Sequence, residues 1–346
     1  PNSLAPNKAE NTIRKFLKIY LVKNRCCSEN TIKSYTDSLN LYFAYLECEK
    51  GIPLLKVDWD CFNYENVSNF LTWLSESRGC SRSTQIQRLT GIRAFIRYAG
   101  ILDVTTVAIQ AEIEKVKLRK PEKKLVSYLS KEQISVFLSQ PDVFKQNGLR
   151  DMVFLTLMYD TAARCQEIVD LKISNLVLDS KSPCVYLTGK GEKTRVVPLM
   201  NKTVLHLKHY LDKFHPEETR SGDDYLFFTV SHRERHRMSE DNVAAFVKKY
   251  GEQAKRICPD IPDRVHPHML RHTRAMHWFQ DGMSLTLLSE ILGHARIETT
   301  KIYAYADTTM KREAIQRATK DSNQNISDAI WANDEETMRK LVGLKK

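Results

Sequence analysis

The chain has 346 residues, of which 42% are hydrophobic, so its length and composition predict about two globular domains with ordinary cores. Its 53 Lys and Arg residues exceed its 42 Asp and Glu residues, which gives a net charge of +11. This charge favours an anionic partner, with nucleic acid first, although a soluble protein can be basic without such a partner.

The eight cysteines include no C-x-x-C pair, and the sequence shows neither a signal peptide nor an apolar run of 18 residues. These features favour a reducing compartment without a membrane partner, and we expect a cytoplasmic, nucleoid-associated protein. The adjacent Cys26 and Cys27 have no second pair to complete a tetrahedral zinc site, so free thiols are predicted.

Residues 1–113 are predicted to form an all-helical domain, because apolar side chains recur there at three- and four-residue spacing. Glycine residues that suit a helix end follow three of the four repeats. The predicted helices are residues 11–23, the run from Ser28 to Gly51, the run from Val67 to Gly79, and the run from Ile86 to Gly100.

Polar and basic side chains cluster near the start of the fourth predicted helix. Such residue types hold phosphates and contact base edges, so we expect this surface to bind DNA. They are also ordinary residues for a solvated helix face, and that alternative remains open. The residues are Arg82, Ser83, Thr84, Gln85, Gln87, Arg88 and Arg93.

Residues 114–126 contain six basic residues and one proline, and they are predicted to form an interdomain linker. A basic linker can lie along a duplex, so we expect Lys120, Lys123 and Lys124 to contact DNA phosphates with an affinity that falls as salt rises. The alternative is that the segment is charged only because it is solvated.

A second domain, residues 127–320, begins at the capping box formed by Ser130 and Gln133. A buried helix over residues 152–159 leads into a short segment that contains Arg164 and Glu167. An arginine held against a core needs an acidic or phosphate partner, and Glu167 three residues later can orient it. A plain structural ion pair is the alternative.

Residues 184–188 and 194–199 are predicted to form a β-hairpin around a Gly-Lys-Gly turn. The turn is not a phosphate-binding loop of the G-x-x-x-x-G-K-[ST] type, because it joins two strands. Lys190 at its tip could deliver a proton to a leaving alkoxide, or it could be only a turn residue.

A helix that opens after a proline places His268 and Arg271 on one face, three residues apart. His268 and His272 are four apart, which is a zinc-ligand spacing, but the H-E-x-x-H pattern and an acidic third ligand are missing. Further on, Gly293 marks a helix end, and His294 is followed by Tyr303 nine residues later.

Together these side chains suit phosphoryl transfer. Arg164 and Arg271 can grip the non-bridging oxygens of a phosphodiester and stabilise the charge of its transition state. Tyr303 can be the attacking group, although a phenol of pKa about 10 needs nearby cations and a base such as His268.

The second domain resembles the tyrosine recombinases, or phage-integrase-type site-specific recombinases, in four segments: residues 161–171, 189–199, 267–273 and 292–303. The resemblance implies a mainly α protein that closes around a duplex as a C-shaped clamp. It comprises a helical, SAM-like core-binding domain and a mixed α/β catalytic domain with a small antiparallel sheet.

In such a protein Tyr303 attacks the scissile phosphate and leaves a 3′-phosphotyrosine, Lys190 protonates the leaving 5′ oxygen, and His294 bonds a non-bridging oxygen. Neither metal nor ATP is implied as a cofactor. The implied partners are double-stranded DNA recombination sites, with a dimer on one site and a tetramer in the synapse that passes through a Holliday junction. We expect Arg164, Lys190, His268, Arg271, His294 and Tyr303 to be catalytic and Glu167 to support them.

The sequence departs from the family pattern at two places. Ala162 stands where a glycine is usual, and Tyr305 lies close enough to Tyr303 to act as a decoy. The tail, residues 321–346, is predicted to carry a short helix, which the resemblance implies is exchanged between protomers; the alternative is a helix that folds back on its own domain. We expect an integrase or transposase of a mobile element; the alternatives are an Xer-like resolution recombinase, a type IB topoisomerase and a catalytically silent DNA-binding clamp.

Overall fold

The computed structural model describes residues 8–121, 126–189 and 191–306, together with residues 336, 339, 340 and 343. Lys123, Lys124, Lys190 and the predicted exchange of the tail therefore lie outside the described residues. The chain divides into two compact units, Pro1–Lys123 and Lys124–Lys346. Most described residues are helical and the sheets are small and antiparallel, which confirms the predicted fold class.

The first unit is built from helices, as predicted. Asn63 and Ser81 accept backbone hydrogen bonds at the starts of the third and fourth helices, and Gly51 ends the second helix in the left-handed conformation. The elements are α1 (Lys8–Lys15) with a π-helical continuation (Phe16–Asn24), α2 (Glu29–Lys50), α3 (Tyr64–Glu76), α4 (Arg82–Leu102) and α5 (Val107–Lys115).

Two features of this unit differ from the predictions. The fourth helix continues through Gly100 to Leu102, where Asp103 caps a short 3-10 turn that leads into the unpredicted α5. Val116 and Leu118 pack against the core of the first unit, so the predicted linker begins within this unit. The rest of that core is rich in aromatic rings, which include Phe16, Tyr42, Phe62, Phe70 and Phe95.

The second unit combines helices with two small sheets. Its first helix begins with the predicted capping box, in which Ser130 and Gln133 bond reciprocally. The elements are α6 (Lys131–Leu138), α7 (Gln146–Thr161), α8 (Cys165–Val169), β1 (Leu176–Val177), β2 (Cys184–Thr188), β3 (Thr194–Pro198), α9 (Asn201–Phe214), β4 (Phe228–Ser231), β5 (Glu234–Arg237), α10 (Glu240–Ile257), α11 (Pro267–Gln280), α12 (Leu285–Leu292) and α13 (Lys301–Ala306).

The predicted hairpin is present, and β1, β2 and β3 form one antiparallel sheet in that order. In the hairpin, residues 184–188 pair with 198–194. Val185 and Leu187 point into the core, in the alternation expected of a half-buried strand. A second hairpin, β4 with β5, was not predicted, and His232 and Arg233 form its turn with φ values of 51° and 68°.

A large core surrounds α7, and a smaller cluster lies beside it. The smaller cluster contains Ala162, Met276, Leu292 and Tyr303, so α11, α12 and α13 meet there. Among the described residues, no helix is both long and apolar enough to cross a membrane. All eight cysteines are among the described residues, and none of them forms a disulfide.

Candidate active site

Arg164 is held at a sharp turn between two helices. Ala162 ends α7 in the left-handed conformation, with φ 49° and ψ 31°, which explains why glycine suits this position. Arg164 then caps α8, and its backbone N–H donates to Glu167 Oε2 at 2.7 Å. Its guanidinium donates to Glu167 Oε1 at 2.8 Å, so the predicted arginine–glutamate pair is formed.

Glu167 is the centre of a buried ionic network that includes an arginine not singled out from the sequence. Arg195 on β3 donates from both terminal nitrogens to the two carboxylate oxygens, at 2.8 and 2.7 Å. Its Nε donates to the carbonyl of Ile291 at 2.7 Å, near the end of α12. Arg195 therefore links the Arg164 turn to the corner that carries His294.

The Glu167 side chain is only 2% exposed. Burial alone raises its pKa, but the hydrogen bonds and charge of Arg195, followed by those of Arg164, more than offset this and lower the pKa to about 2. The carboxylate is therefore ionised. Gly189 packs closely against it, since a Cβ there would lie 2.9 Å from Glu167 Oε1.

Arg271 lies on α11 and is almost fully buried. Its Nη1 donates to the carbonyl of Ala162 at 2.8 Å, and its Nη2 donates to the carbonyl of Leu292 at 2.6 Å. Burial lowers its pKa to about 10, with the charge of Arg164 as the next cause. Because that value is well above neutral pH, Arg271 remains a cation beside Arg164.

His294 follows Gly293, which ends α12 in the left-handed conformation as the sequence predicted. Arg271 Nη2 donates to His294 Nε2 at 3.2 Å, so the ring proton lies on Nδ1, which donates to Thr300 Oγ1 at 2.8 Å. Burial, followed by the charge of Arg271, lowers the pKa of His294 to about 4, and the ring is neutral at pH 7.

Tyr303 lies in α13 and is 0% exposed, whereas Tyr305 is 60% exposed. Burial raises the pKa of Tyr303 to about 12, against the opposing charges of Arg271 and Arg164. Its hydroxyl lies 3.0 Å from Nδ1 of His272. The side chain next to the phenol is thus His272, and not His268 as expected from the sequence.

His268 is exposed on the first turn of α11. Loss of hydration, followed by the charges of Arg271 and Arg164, lowers its pKa. One helical turn separates it from His272, and the two ring centroids are 6.3 Å apart. Within the described ranges, no group of three or more His, Cys, Asp or Glu residues is arranged to hold a metal ion.

A surface cleft of about 380 Å³ opens over this network. Arg164 and His294 line it, and the β2–β3 hairpin forms one wall; Lys190 lies outside the described residues. The guanidinium groups of Arg164 and Arg195 and the neutral imidazole of His294 at such a cleft can bind a phosphodiester and stabilise developing negative charge. The described lining is Arg164, Gly189, Lys193, Thr194, Arg195, Gly293, His294 and Ala295.

The residues of α4 that are predicted to bind DNA differ in their exposure and in their hydrogen-bond partners. Gln85 is 2% exposed and donates to the carbonyl of Cys80 at 3.2 Å, so its predicted DNA contact is wrong: it points inward beneath the first turn. Arg93 donates to the carbonyls of Ile113, Glu114 and Val116, which occupies its guanidinium at the end of α5.

The other predicted DNA-binding residues remain predictions. Arg82 and Gln87 are exposed, and Arg88 is half-buried. Gln87 and Arg88 both donate to Ser34 on α2, through its hydroxyl and its carbonyl respectively. Ser83 and Lys120 are exposed and Thr84 is half-buried.

Two site residues were missed as such from the sequence, Arg195 and His272. Arg195 stands just after the predicted turn, and its burial against an acidic residue could have been found only from the strand pairing. His272 follows Arg271 directly, and its four-residue spacing from His268 suggests only a metal-ligand pair. Both meet their partners through contacts that are distant in the chain.

The chain matches the family model described as "Phage integrase family" over residues 127–310, and "Phage integrase, N-terminal SAM-like domain" over residues 13–100. It is 30% identical to tyrosine recombinase XerC of Staphylococcus carnosus, over 87% of this chain and 95% of that protein. It is also 30% identical to a putative integrase/recombinase, y4rC, of Sinorhizobium fredii, over 91% of each chain.

Solved structures share the fold. XerH site-specific recombinase bound to its difH substrate, in a pre-cleavage complex, gives a TM-score of 0.61 at 22% identity over 90% of each chain. The Tn1549 transposon integrase with circular intermediate DNA gives 0.67 at 14% identity, over 90% of this chain and 100% of that one. The chain belongs to the phage integrase family of tyrosine recombinases, site-specific recombinases that cleave and rejoin DNA.

Proposed function

We propose that this recombinase cleaves duplex DNA with Tyr303 as its nucleophile and forms a 3′-phosphotyrosine intermediate. The observation that carries the proposal is that Arg164 and His294 line one cleft while the buried Arg271 donates to His294. The Tyr303 phenol is buried where the charges of Arg271 and Arg164 act on it. The guanidinium groups balance the charge of a five-coordinate phosphorus, which costs them no reorganisation because Glu167 and backbone carbonyls already hold them.

The remaining roles follow from position and chemistry. Lys190, from the turn between β2 and β3, protonates the leaving 5′ oxygen. His268, exposed near Arg271 and Arg164, contacts the phosphate, and Glu167 supports both arginines without contacting DNA. His294 can donate to a non-bridging oxygen after it turns from Thr300 or gains a proton, because its Nε2 is an acceptor in the DNA-free arrangement.

A covalent adduct on a nicked duplex tests the proposal. The duplex carries a sequence that the wild-type protein selects from a randomised pool, and the nick lets the short cleaved strand diffuse away. We expect a protein–DNA adduct on a denaturing gel with wild type and with Tyr305→Phe, and none with Tyr303→Phe. An adduct formed by Tyr303→Phe would overturn the assignment, and its absence from the wild type would favour a silent DNA-binding clamp.

For the biological role, we infer an Xer-type resolution function ahead of the integrase or transposase role expected from the sequence. Its support is the similarity to proteins named XerC and XerA along most of both chains. The mobile-element role keeps its support from the putative integrase y4rC and from the fold shared with the Tn1549 transposon integrase. Deletion between two identical selected sites on one plasmid supports the first role, and joining only of two different sites supports the second.

We further propose the assembly and its parts. Two protomers bind one site and four form the synapse, where strands exchange through a Holliday junction at the nucleoid. Residues 1–113 form the core-binding domain, 114–126 a basic linker whose first residues, through Leu118, pack on that domain, 127–320 the catalytic domain, and 321–346 a tail exchanged between protomers. Crosslinking on a duplex with one selected site, and then with two paired sites, should trap dimers and tetramers respectively.

A further inference from the structure

The hydrogen bond between His272 and Tyr303 joins two helices at the nucleophile itself. His272 lies on α11 directly after Arg271, and its Nδ1 is 3.0 Å from the Tyr303 hydroxyl on α13. The ring centroids are 5.8 Å apart. The site assigned above uses six catalytic residues, and His272 is not among them although it touches the reacting oxygen.

The surroundings keep the His272 ring neutral. Burial, followed by the nearby His268, Arg271 and His266, lowers its pKa to about 4. A neutral imidazole has one nitrogen without a proton, and a phenol has one proton to donate. The 3.0 Å contact therefore suits a bond in which the Tyr303 hydroxyl donates to Nδ1 of His272.

The buried phenol needs a proton acceptor. Since burial raises the pKa of Tyr303 to about 12, only roughly one phenol in 10⁵ is ionised at pH 7. His268 does not fill this need in the observed arrangement, because it lies one turn away on the exposed start of α11. His272 is already within hydrogen-bond distance, which is the first requirement for a general base.

We propose that His272 is a catalytic residue that accepts the proton of the Tyr303 hydroxyl during DNA cleavage. The inference rests on the proposed function of Tyr303. In the step, the Tyr303 oxygen forms a bond to phosphorus while its proton passes to His272 Nδ1. The bond from phosphorus to the 5′ oxygen breaks with its electron pair, and that oxygen takes a proton from Lys190.

The reverse step restores both partners. When the free 5′ hydroxyl attacks the phosphotyrosine, the departing Tyr303 oxygen recovers its proton from His272 and Lys190 accepts the proton of the hydroxyl. Proton acceptance by an adjacent histidine contributes about 10²–10⁴-fold to a rate, which sets the size of the expected loss. The alternative role for the same bond is a lock that holds Tyr303 away from DNA, and it predicts the opposite change in rate.

The test is a single-turnover cleavage assay on the nicked, selected duplex with sulfur in place of the bridging 5′ oxygen. A thiolate leaves without an acid, so this duplex removes the need for Lys190 and isolates the attack by Tyr303. We expect His272→Ala to cleave about 10²–10⁴-fold more slowly than wild type at pH 7. Its rate should rise more steeply with pH, and added imidazole should restore part of it.

Two further variants separate proton transfer from packing. His272→Gln keeps the size of the side chain and can hold a hydrogen bond but cannot take a proton, so it should stay as slow as His272→Ala. His206→Gln changes another half-buried histidine, on α9, and should leave the rate unchanged. Lys190→Ala should be restored by the sulfur duplex, whereas neither His272 variant should be.

The outcomes distinguish this inference from the proposed function. Loss of the adduct in Tyr303→Phe with a wild-type rate in His272→Gln would overturn the role of His272 alone. Faster cleavage by His272→Ala, which removes the hydrogen bond, would overturn it in favour of a lock. An adduct formed by Tyr303→Phe would remove the proposed function and this inference with it.

Discussion

The first unit surrounds Phe16, Tyr42 and Phe95 with other aromatic and aliphatic side chains, whereas the second also buries the ionised Glu167 and Arg271. Among the described residues, the fully buried polar side chains of the first unit are uncharged: Ser38, Gln85 and Thr106. Transfer of a charge from water into a protein costs several kcal/mol unless partners offset it.

This difference indicates that the buried charges of the second unit serve the reaction more than they serve folding. Replacing a buried ion pair by apolar residues is often neutral or stabilising, so an ionic network adds little to folding by itself. The second unit nevertheless joins Arg164, Glu167, Arg195 and Arg271 around the candidate phosphate site. The network is best understood as a rigid support that fixes cations before DNA arrives.

The largest expected effect on stability comes from removing Glu167, the acidic residue of the network. Glu167→Ala leaves Arg195 buried without its carboxylate, and such a loss costs about 3–5 kcal/mol. Hydrogen exchange measured on peptides of each unit should show the loss in the second unit only. Glu234→Ala, an exposed glutamate on β5, should change stability by less than about 0.5 kcal/mol. A loss below about 1 kcal/mol for Glu167→Ala would mean that the ions are not coupled.

Lowering the pH is expected to have a smaller effect on stability. The folded pKa of Glu167 is about 2 and its ordinary value is 4.5, so its stabilisation is complete above pH 4.5 and disappears as the pH falls through 2. The difference corresponds to about 3 kcal/mol. Urea unfolding between pH 5 and pH 2 should show this component in the wild type and not in Glu167→Gln. Equal slopes for the two proteins would contradict the ionised, paired state.

The smallest effect on stability is expected from a substitution in the first unit, which tests side-chain packing and not charge. A Cβ at Gly91 on α4 would lie 2.6 Å from the Cβ and Oγ of Ser38 on α2. Overpacking costs about 1–3 kcal/mol and the helix preference of alanine returns about 0.5–1 kcal/mol. Gly91→Ala should therefore lose up to about 2.5 kcal/mol of stability, confined to peptides of the first unit.

A double variant checks the cause of that loss. Ser38→Gly removes the atoms that would clash, so it should cost less in the Gly91→Ala background than in the wild type, and the coupling energy should be favourable. Independent, additive losses would show that α2 and α4 separate to accept the methyl group. The core of the first unit would then not be tightly packed at this contact.

Local patterns predicted much of the fold. The capping box at Ser130, the end of α12 at Gly293 and the β2–β3 hairpin depend on neighbours in the chain, and all three are present. The predicted helix end at Gly100 is wrong, because a glycine within a helix can also allow close packing, here against Gln110 on α5. The β4–β5 hairpin was missed because Arg, Glu and His occupy β5, which lacks the usual apolar alternation.

The sequence predicted which residue types form the site better than it predicted which of them contact one another. The motifs indicated Arg164, Arg271, His294 and Tyr303, and the structure brings them together. The contact of Arg195 with Glu167 spans 28 positions and that of His272 with Tyr303 spans 31, so chain spacing alone could not reveal either. The inward direction of Gln85 depends likewise on the turn before α4, since it donates to the carbonyl of Cys80.

We expect the second unit to bury and support one nucleophile, Tyr303, while the exposed Tyr305 does not react. Residues 302–311 lie between two lysine cleavage points of trypsin, so one peptide contains both tyrosines. The measurement is fragmentation mass spectrometry of that peptide after cleavage of the selected duplex. We expect a nucleotide bound to Tyr303; a nucleotide bound to Tyr305 would show that the exposed tyrosine is the nucleophile.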